Sequence, residues 1–225
     1  MNQLLLFDMD GVLVDVTDSY REAIQQTVAS FGGSRPSRDL IQDFKNRGGF
    51  NCDWRLSHQI LADEGFHVEF DDVVARFNEL FLGKNNDGLV LRERWLPADA
   101  LLDRLAARFR IGVYTGRHDF EIAPTLGRLG LNGFFDPVIT ADMVANAKPA
   151  PDGILQALET CRPERMWYIG DTVDDGLAAR AAGVPFIGIA ASSSPKRDEL
   201  VCALQAAGAI AVITDINQLE SVLPQ

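Results

Sequence analysis

The chain has 225 residues, of which 47% are hydrophobic and 24% charged, with a formal charge of −11. That is room for one large domain, or a domain with a smaller insert, in the composition range of a soluble globular protein. The negative balance repels phosphate backbones, so nucleic acid is excluded as an expected partner. A phosphorylated ligand would need a cation, or local Lys and Arg, to reverse the field.

The chain opens with an apolar run at 4–7, which meets Asp8 too early for a signal peptide. The run predicts a strand. Further runs at 111–114, 138–140, 166–169, 186–189 and 209–213 are apolar throughout, without alternation. Strands buried on both faces of a parallel sheet read this way. Helical patterns at 98–109, 120–129, 153–161 and 176–182 fall between them. The β-α-β rhythm predicts an α/β, doubly wound parallel sheet with its site at the carboxyl ends of the strands.

The stretch 16–82 breaks that rhythm and holds no clear strand. Tyr20, Ala23, Ile24, Thr27, Val28 and Phe31 follow helical spacing, as do Phe70, Val73, Val74, Phe77, Leu80 and Phe81. Residues 83–88 then read as a return linker. The expected organisation is a core of residues 1–15 and 89–225, with residues 16–88 as a helical insert and its linker. No apolar run is long enough for a membrane span. Cys52, Cys161 and Cys202 are scattered and odd in number, which favours reduced thiols and a cytoplasmic setting.

Four clusters carry chemistry. The first strand ends in Asp8-Met9-Asp10-Gly11, two carboxylates on one side of an extended segment. Such a pair is costly unless a cation neutralises it or one member takes a proton. The strand at 111–114 ends in Thr115-Gly116-Arg117. Lys148 precedes a Pro-rich turn and a helix start. The strand at 166–169 leads into Gly170-Asp171-Thr172-Val173-Asp174-Asp175. Singly, a strand-terminal Thr is most simply a helix cap and a Lys-Pro turn means little. Together they place acids, a hydroxyl and a lysine on one edge of the sheet.

The order DxDG, strand-end Thr, Lys-Pro and GDxxxD resembles the haloacid dehalogenase superfamily. The helical insert after the first motif resembles its subfamily IA, with a mobile helical cap (the C1 cap) and phosphoglycolate phosphatase-like members. The resemblance implies a Rossmann-like core and a magnesium-dependent phosphatase. Asp8 would be the nucleophile, forming an aspartyl phosphate, since an ionised carboxylate needs no base. Asp10 would protonate the leaving oxygen and then activate water. Thr115 and Lys148 would hold the phosphoryl group, Lys148 also holding Asp8. Asp8, Asp171, Asp175 and the Asp10 carbonyl would bind Mg2+, a hard ion suited to oxygen ligands. Asp10 argues against dehalogenation and phosphonate cleavage. A sugar-phosphate mutase is the alternative enzyme. A phospho-aspartate signalling switch is the alternative of another class, although such modules are roughly half this length.

The expected substrate is a small phosphorylated metabolite. Residues 45–53 of the insert read as a polar loop around Gly48-Gly49. Lys45, Arg47, Asn51 and Asp53, with Gly116 and Arg117, are the candidate substrate-binding residues. His58, His67 and His118 lack metal spacing and are expected on the surface or at caps. Asp174 reads equally as supporting or solvated, and the resemblance implies a hinge role for Asp15. Oligomeric state is not legible.

Overall fold

A computed structural model describes residues 2–224. Its central strand, β1 (Gln3–Phe7), shows why the apolar runs lack alternation. Leu4 and Leu6 enter one hydrophobic cluster with Tyr168 and Phe186, while Leu5 and Phe7 enter a second with Ile169 and Ile187. Both faces of the strand are therefore core. The other sheet strands are β4 (Arg110–Tyr114), β5 (Val138–Ile139), β6 (Arg165–Gly170), β7 (Phe186–Ile189) and β8 (Ala209–Ile213). All pair in parallel, in the order β5-β4-β1-β6-β7-β8. The order turns at β1, flanked by β4 and β6. A crevice opens at such a switch point beyond the carboxyl ends.

The strand predicted at 209–213 is present but only partly buried, and Ile210 is exposed, because β8 is the sheet edge. The helix predicted at 98–109 contracts to α5 (Leu101–Ala106). Ala100 takes a left-handed conformation, φ 61°, which no right-handed helix can include. The remaining core helices are α6 (Asp119–Arg128), α7 (Asp152–Cys161), α8 (Val173–Ala182) and α9 (Arg197–Ala207). The last was not anticipated.

Four helices occupy the stretch after Val16. They are α1 (Tyr20–Ser30), α2 (Arg38–Arg47), α3 (Asp53–Asp63) and α4 (Phe70–Leu82). The sequence pattern marked only α1 and α4. Lys45 and Arg47, read from sequence as loop residues, lie in the last turn of α2, which Ser37 caps by accepting from the Leu40 N–H. Gly48 and Gly49, φ 78° and 81°, end it. A ribbon of β2 (Val14–Asp15) and β3 (Arg94–Trp95) closes the root of the insert. There Asp15 accepts from Arg94 at 2.7 Å and from the Thr17 N–H at 2.9 Å. Burial would raise its carboxyl, but hydrogen bonding from Thr17 and then Arg94 holds it below the usual range. No helix among the described residues is long and apolar enough to cross a membrane.

The insert and one face of the sheet share a continuous hydrophobic cluster. Within it Phe77 is fully buried, with Tyr20 at 5.8 Å and Phe81 at 6.3 Å between ring centroids. Phe77→Ala should destabilise the protein by about 3–5 kcal/mol in urea unfolding, the cost of truncating a buried aromatic. A loss below about 1 kcal/mol would show that this packing is loose.

Candidate active site

Asp8 continues β1 by donating its N–H to Ile169 O at 2.8 Å, so its side chain leaves the sheet at the switch point. Asp171 leaves β6 alongside it, and Asp175 follows on the first turn of α8. One carboxylate oxygen from each lies within 4.8 Å of the others. Gly11 lets the chain turn against this cluster. Its φ is +70°, and a Cβ there would strike the Asp171 carboxylate. The loop after β5 brings Lys148, fully enclosed, to 2.8 Å from Asp8 Oδ1 and 2.7 Å from Asp175 Oδ1. Asp175 also accepts from Tyr168 Oη at 2.8 Å, Thr172 N at 3.0 Å and Thr172 Oγ1 at 2.6 Å. Its four acceptor positions are thereby filled.

The electrostatics follow from this crowding. Burial lifts the Asp8 carboxyl to about 7 against the pull of Lys148. Asp171 is also held well above its ordinary value, by burial and then by the charges of Asp175 and Asp8. Asp175 stays below the carboxylate range, because Lys148 and its donors outweigh its burial. The lysine stays charged: its neighbours overcome the cost of enclosing it.

Thr115 ends β4 and is buried. Its Oγ1 accepts from the Arg117 N–H at 3.1 Å. Asp10 stands at the cavity side of the first motif, where Arg117 Nε donates to its Oδ1 at 3.0 Å and Nη2 donates to the same oxygen. Arg117 is itself buried. Nη2 reaches Glu93 Oε1 at 2.7 Å and Nη1 reaches Thr125 Oγ1 at 2.9 Å.

Between the insert and the strand ends lies a cavity of about 520 Å³, lined by Asp8, Asp10, Lys148 and Asp171 on the core side. Of the candidate substrate-binding residues, Lys45, Asn51, Asp53, Gly116 and Arg117 line it. Asn51 approaches Gly116 so closely that a Cβ there would meet its side-chain amide. Arg47 does not belong with them. It is exposed at the end of α2, its guanidinium 5.0 Å from the Phe44 ring centroid, because the helical turn points it away. Lys45 is buried and donates to Asp53 Oδ1 at 2.5 Å and Asn51 O at 3.2 Å.

Sequence reasoning missed Arg21, Trp54 and Glu121, which also line the cavity. Their positions in the first turns of α1, α3 and α6 were the available signal, since helix starts of the insert and core face one another here. His118 caps α6 as expected, but it also borders the cavity and packs against Trp54, centroids 4.9 Å apart. Asp174 is buried rather than solvated, accepting from the Gly49 N–H of the insert at 2.6 Å.

Comparison with known proteins adds a family. The family model described as haloacid dehalogenase-like hydrolase matches residues 3–183. An imidazoleglycerol-phosphate dehydratase of Phytophthora nicotianae is 36% identical over 83% of this chain, which spans only 43% of that relative's length. A phosphoglycolate phosphatase of Colwellia psychrerythraea is 28% identical, with 83% of this chain and 84% of the relative covered. The crystal structure of a hydrolase from Pseudomonas syringae superposes with a TM-score of 0.76 at 21% identity, over 99% of this chain and all of that one. It shares the fold.

Glu121 yields a test of this electrostatic picture. It accepts from Tyr20 Oη at 3.1 Å and the His118 N–H at 2.9 Å, and burial lifts its carboxyl from 4.5 to about 7. A carboxyl raised on folding stabilises fully below its unfolded value and loses that contribution as pH rises through the folded one. The stability of wild type relative to Glu121→Gln should therefore fall between about pH 4.5 and 7. A difference that stays constant across that window in thermal unfolding would contradict the assignment.

Proposed function

The chain belongs to the haloacid dehalogenase-like hydrolases and is a phosphatase of that family, and from that premise we propose that it hydrolyses a small phosphate monoester through Asp8. The convergence of Asp8, Lys148, Asp171 and Asp175 at the switch-point strand, beside a partly open cavity, carries this reading.

Asp8 attacks phosphorus, forming a bond from a carboxylate oxygen as the ester P–O bond breaks. Asp10 gives its proton to the departing oxygen. Water then loses a proton to Asp10 and attacks the same phosphorus, releasing phosphate and the Asp8 carboxylate. Thr115 donates its hydroxyl proton to a phosphoryl oxygen, while its acceptor side holds the Arg117 N–H. Lys148 balances charge on Asp8 and the phosphoryl group, and Asp175 fixes that lysine. The donor set fits a hard divalent ion. Three carboxylates converge, and Asp8 Oδ1 is buried without a well-aligned hydrogen-bond donor although Lys148 is near. Asp8, Asp171 and the Asp10 carbonyl would hold magnesium directly, with Asp175 adding charge behind them. Bound magnesium would supply positive charge that favours ionised Asp8 and neutralises the phosphoryl oxygens.

The insert, residues 16–88, acts as the cap over this chemistry, keeping bulk water from the acyl phosphate. Lys45 and Arg21 both approach Asp53, at 2.5 and 3.7 Å. Arg55 lines the cavity from the same side, so three cations face one carboxylate at the cap wall and two positive charges are in excess. An acidic leaving group suits it, and the phosphoglycolate phosphatase relative makes phosphoglycolate the first candidate. A cytoplasmic enzyme acting on a free metabolite accords with three unpaired cysteines.

Asp8→Asn should fold normally yet release no phosphate from any monoester. Chelation should silence the wild type and added magnesium restore it. A folded Asp8→Asn variant with near wild-type turnover, or full activity in excess chelator, would refute the mechanism. A monoester panel including phosphoglycolate and imidazole-bearing phosphates tests the leaving group.

A further inference from the structure

Arg117 is the largest fully buried charged side chain among the described residues, and nothing in the hydrolytic cycle above uses its guanidinium. Its surroundings specify a task. Both donors that face Asp10, Nε and Nη2, converge on one oxygen, Oδ1. An oxygen that accepts two N–H bonds from a cation is a poor carrier of a transferable proton. The other oxygen, Oδ2, is left to carry it. Resting on the reading of Asp10 as acid and base, we propose that Arg117 is a positioning residue that pins Oδ1 and so aims Oδ2 at the leaving oxygen.

The clamp is built from three parts of the chain. Glu93, fully buried just before β3, pairs with Arg117 and accepts from Thr125 Oγ1 at 2.7 Å. Thr125, on α6, takes the Nη1 bond. From the insert, the Tyr20 ring lies 4.7 Å and the Phe81 ring 5.8 Å from the guanidinium carbon. Tyr20 begins α1 and Phe81 nearly ends α4, so the two ends of the insert flank the group that holds Asp10. Opposing charge from Asp10 and Glu93 keeps Arg117 protonated despite its burial, as its environment requires of an unsolvated guanidinium.

Leaving-group chemistry separates positioning from mere support. An alkoxide must be protonated as it departs, whereas a nitrophenolate leaves with little help. The test compares 2-phosphoglycerol and p-nitrophenyl phosphate, neither of which carries an acidic group for the cap wall to select, in Arg117→Lys, Arg117→Gln/Glu93→Gln and Asp10→Asn. The lysine variant keeps the charge without the two-donor grip. The double variant removes both buried charges, so neither is stranded. Arg117→Lys and the double variant should lose roughly 10- to 100-fold in kcat/KM, which reports the leaving-group step alone, on the alkyl ester, reaching the low end of general acid catalysis because Asp10 itself remains, and under about 3-fold on the aryl ester. Equal losses on both substrates, or no loss on either, would overturn the proposal. Asp10→Asn separates the two possible failures. If it discriminates between the esters while the Arg117 variants do not, the positioning role is wrong. If it too fails to discriminate, the acid role of Asp10 falls, and the proposal with it.

Discussion

Three carboxylates meet in a buried place at the end of the central strand, and most of the architecture can be understood as a response. At 4.8 Å or less, each ionised pair would repel by about 3–4 kcal/mol at an effective dielectric near 20. Lys148 offsets part of this by touching Asp8 and Asp175 together, and enclosure against the rings of Tyr114 and Tyr168 holds it there. Asp175 is saturated by donors from Tyr168 and Thr172, which fixes the lysine in turn. Asp8 and Asp171 remain under-compensated and rise above their ordinary carboxyl range. That surplus negative charge is what makes the crevice suited to a divalent cation and, through it, to a phosphoryl group on a chain of charge −11.

A second buried charge system stands apart from the first. Arg117, Glu93 and Thr125 answer one another across the root of the insert, with Asp10 at their open end. Under the proposed mechanism the two systems divide the labour. One would hold the nucleophile and its counter-charges on the sheet. The other would set the proton-transfer group where insert and core meet. The insert also reaches the first system through Asp174, which accepts the Gly49 N–H, and ties to the core again where Lys196 meets Asp43 at 2.5 Å. Seating of the helices and arrangement of the acids are thus linked by short polar contacts.

The sheet and the motif residues were legible because their signals are local. A strand buried on both faces must be apolar throughout, and the charged residues that follow it have no other reason to sit there. Asp8, Thr115, Lys148 and Asp171 needed only the order of such strands. What was not legible depended on distance in sequence. Helices α2 and α3 are amphipathic too, turning Ile41 and Phe44, and Leu56, Ile60 and Leu61, to the core, but the Gly48-Gly49 pair and its polar flanks made the stretch between them read as loop. Arg47 was a plausible ligand contact until the turn of α2 carried it outward, whereas Lys45, one face around, points inward. Arg117 was visible beside the second motif. Its partner Glu93, 24 residues earlier, was not, because nothing local distinguishes a glutamate that will be buried. The helix at 98–109 was overextended because an apolar pattern does not reveal a left-handed residue at Ala100.

Hydrolysis through Asp8 requires a covalent bond between phosphorus and its carboxylate. The most direct measurement is chemical trapping of that bond during turnover. The enzyme is quenched with acid while hydrolysing a monoester, treated with borohydride, digested and analysed by mass spectrometry. An acyl phosphate at Asp8 is reduced to homoserine at position 8, and nowhere else in the chain. Trapping at another acid, or an unmodified Asp8 in an enzyme quenched at full turnover with the intermediate demonstrably slower to break down than to form, would contradict it.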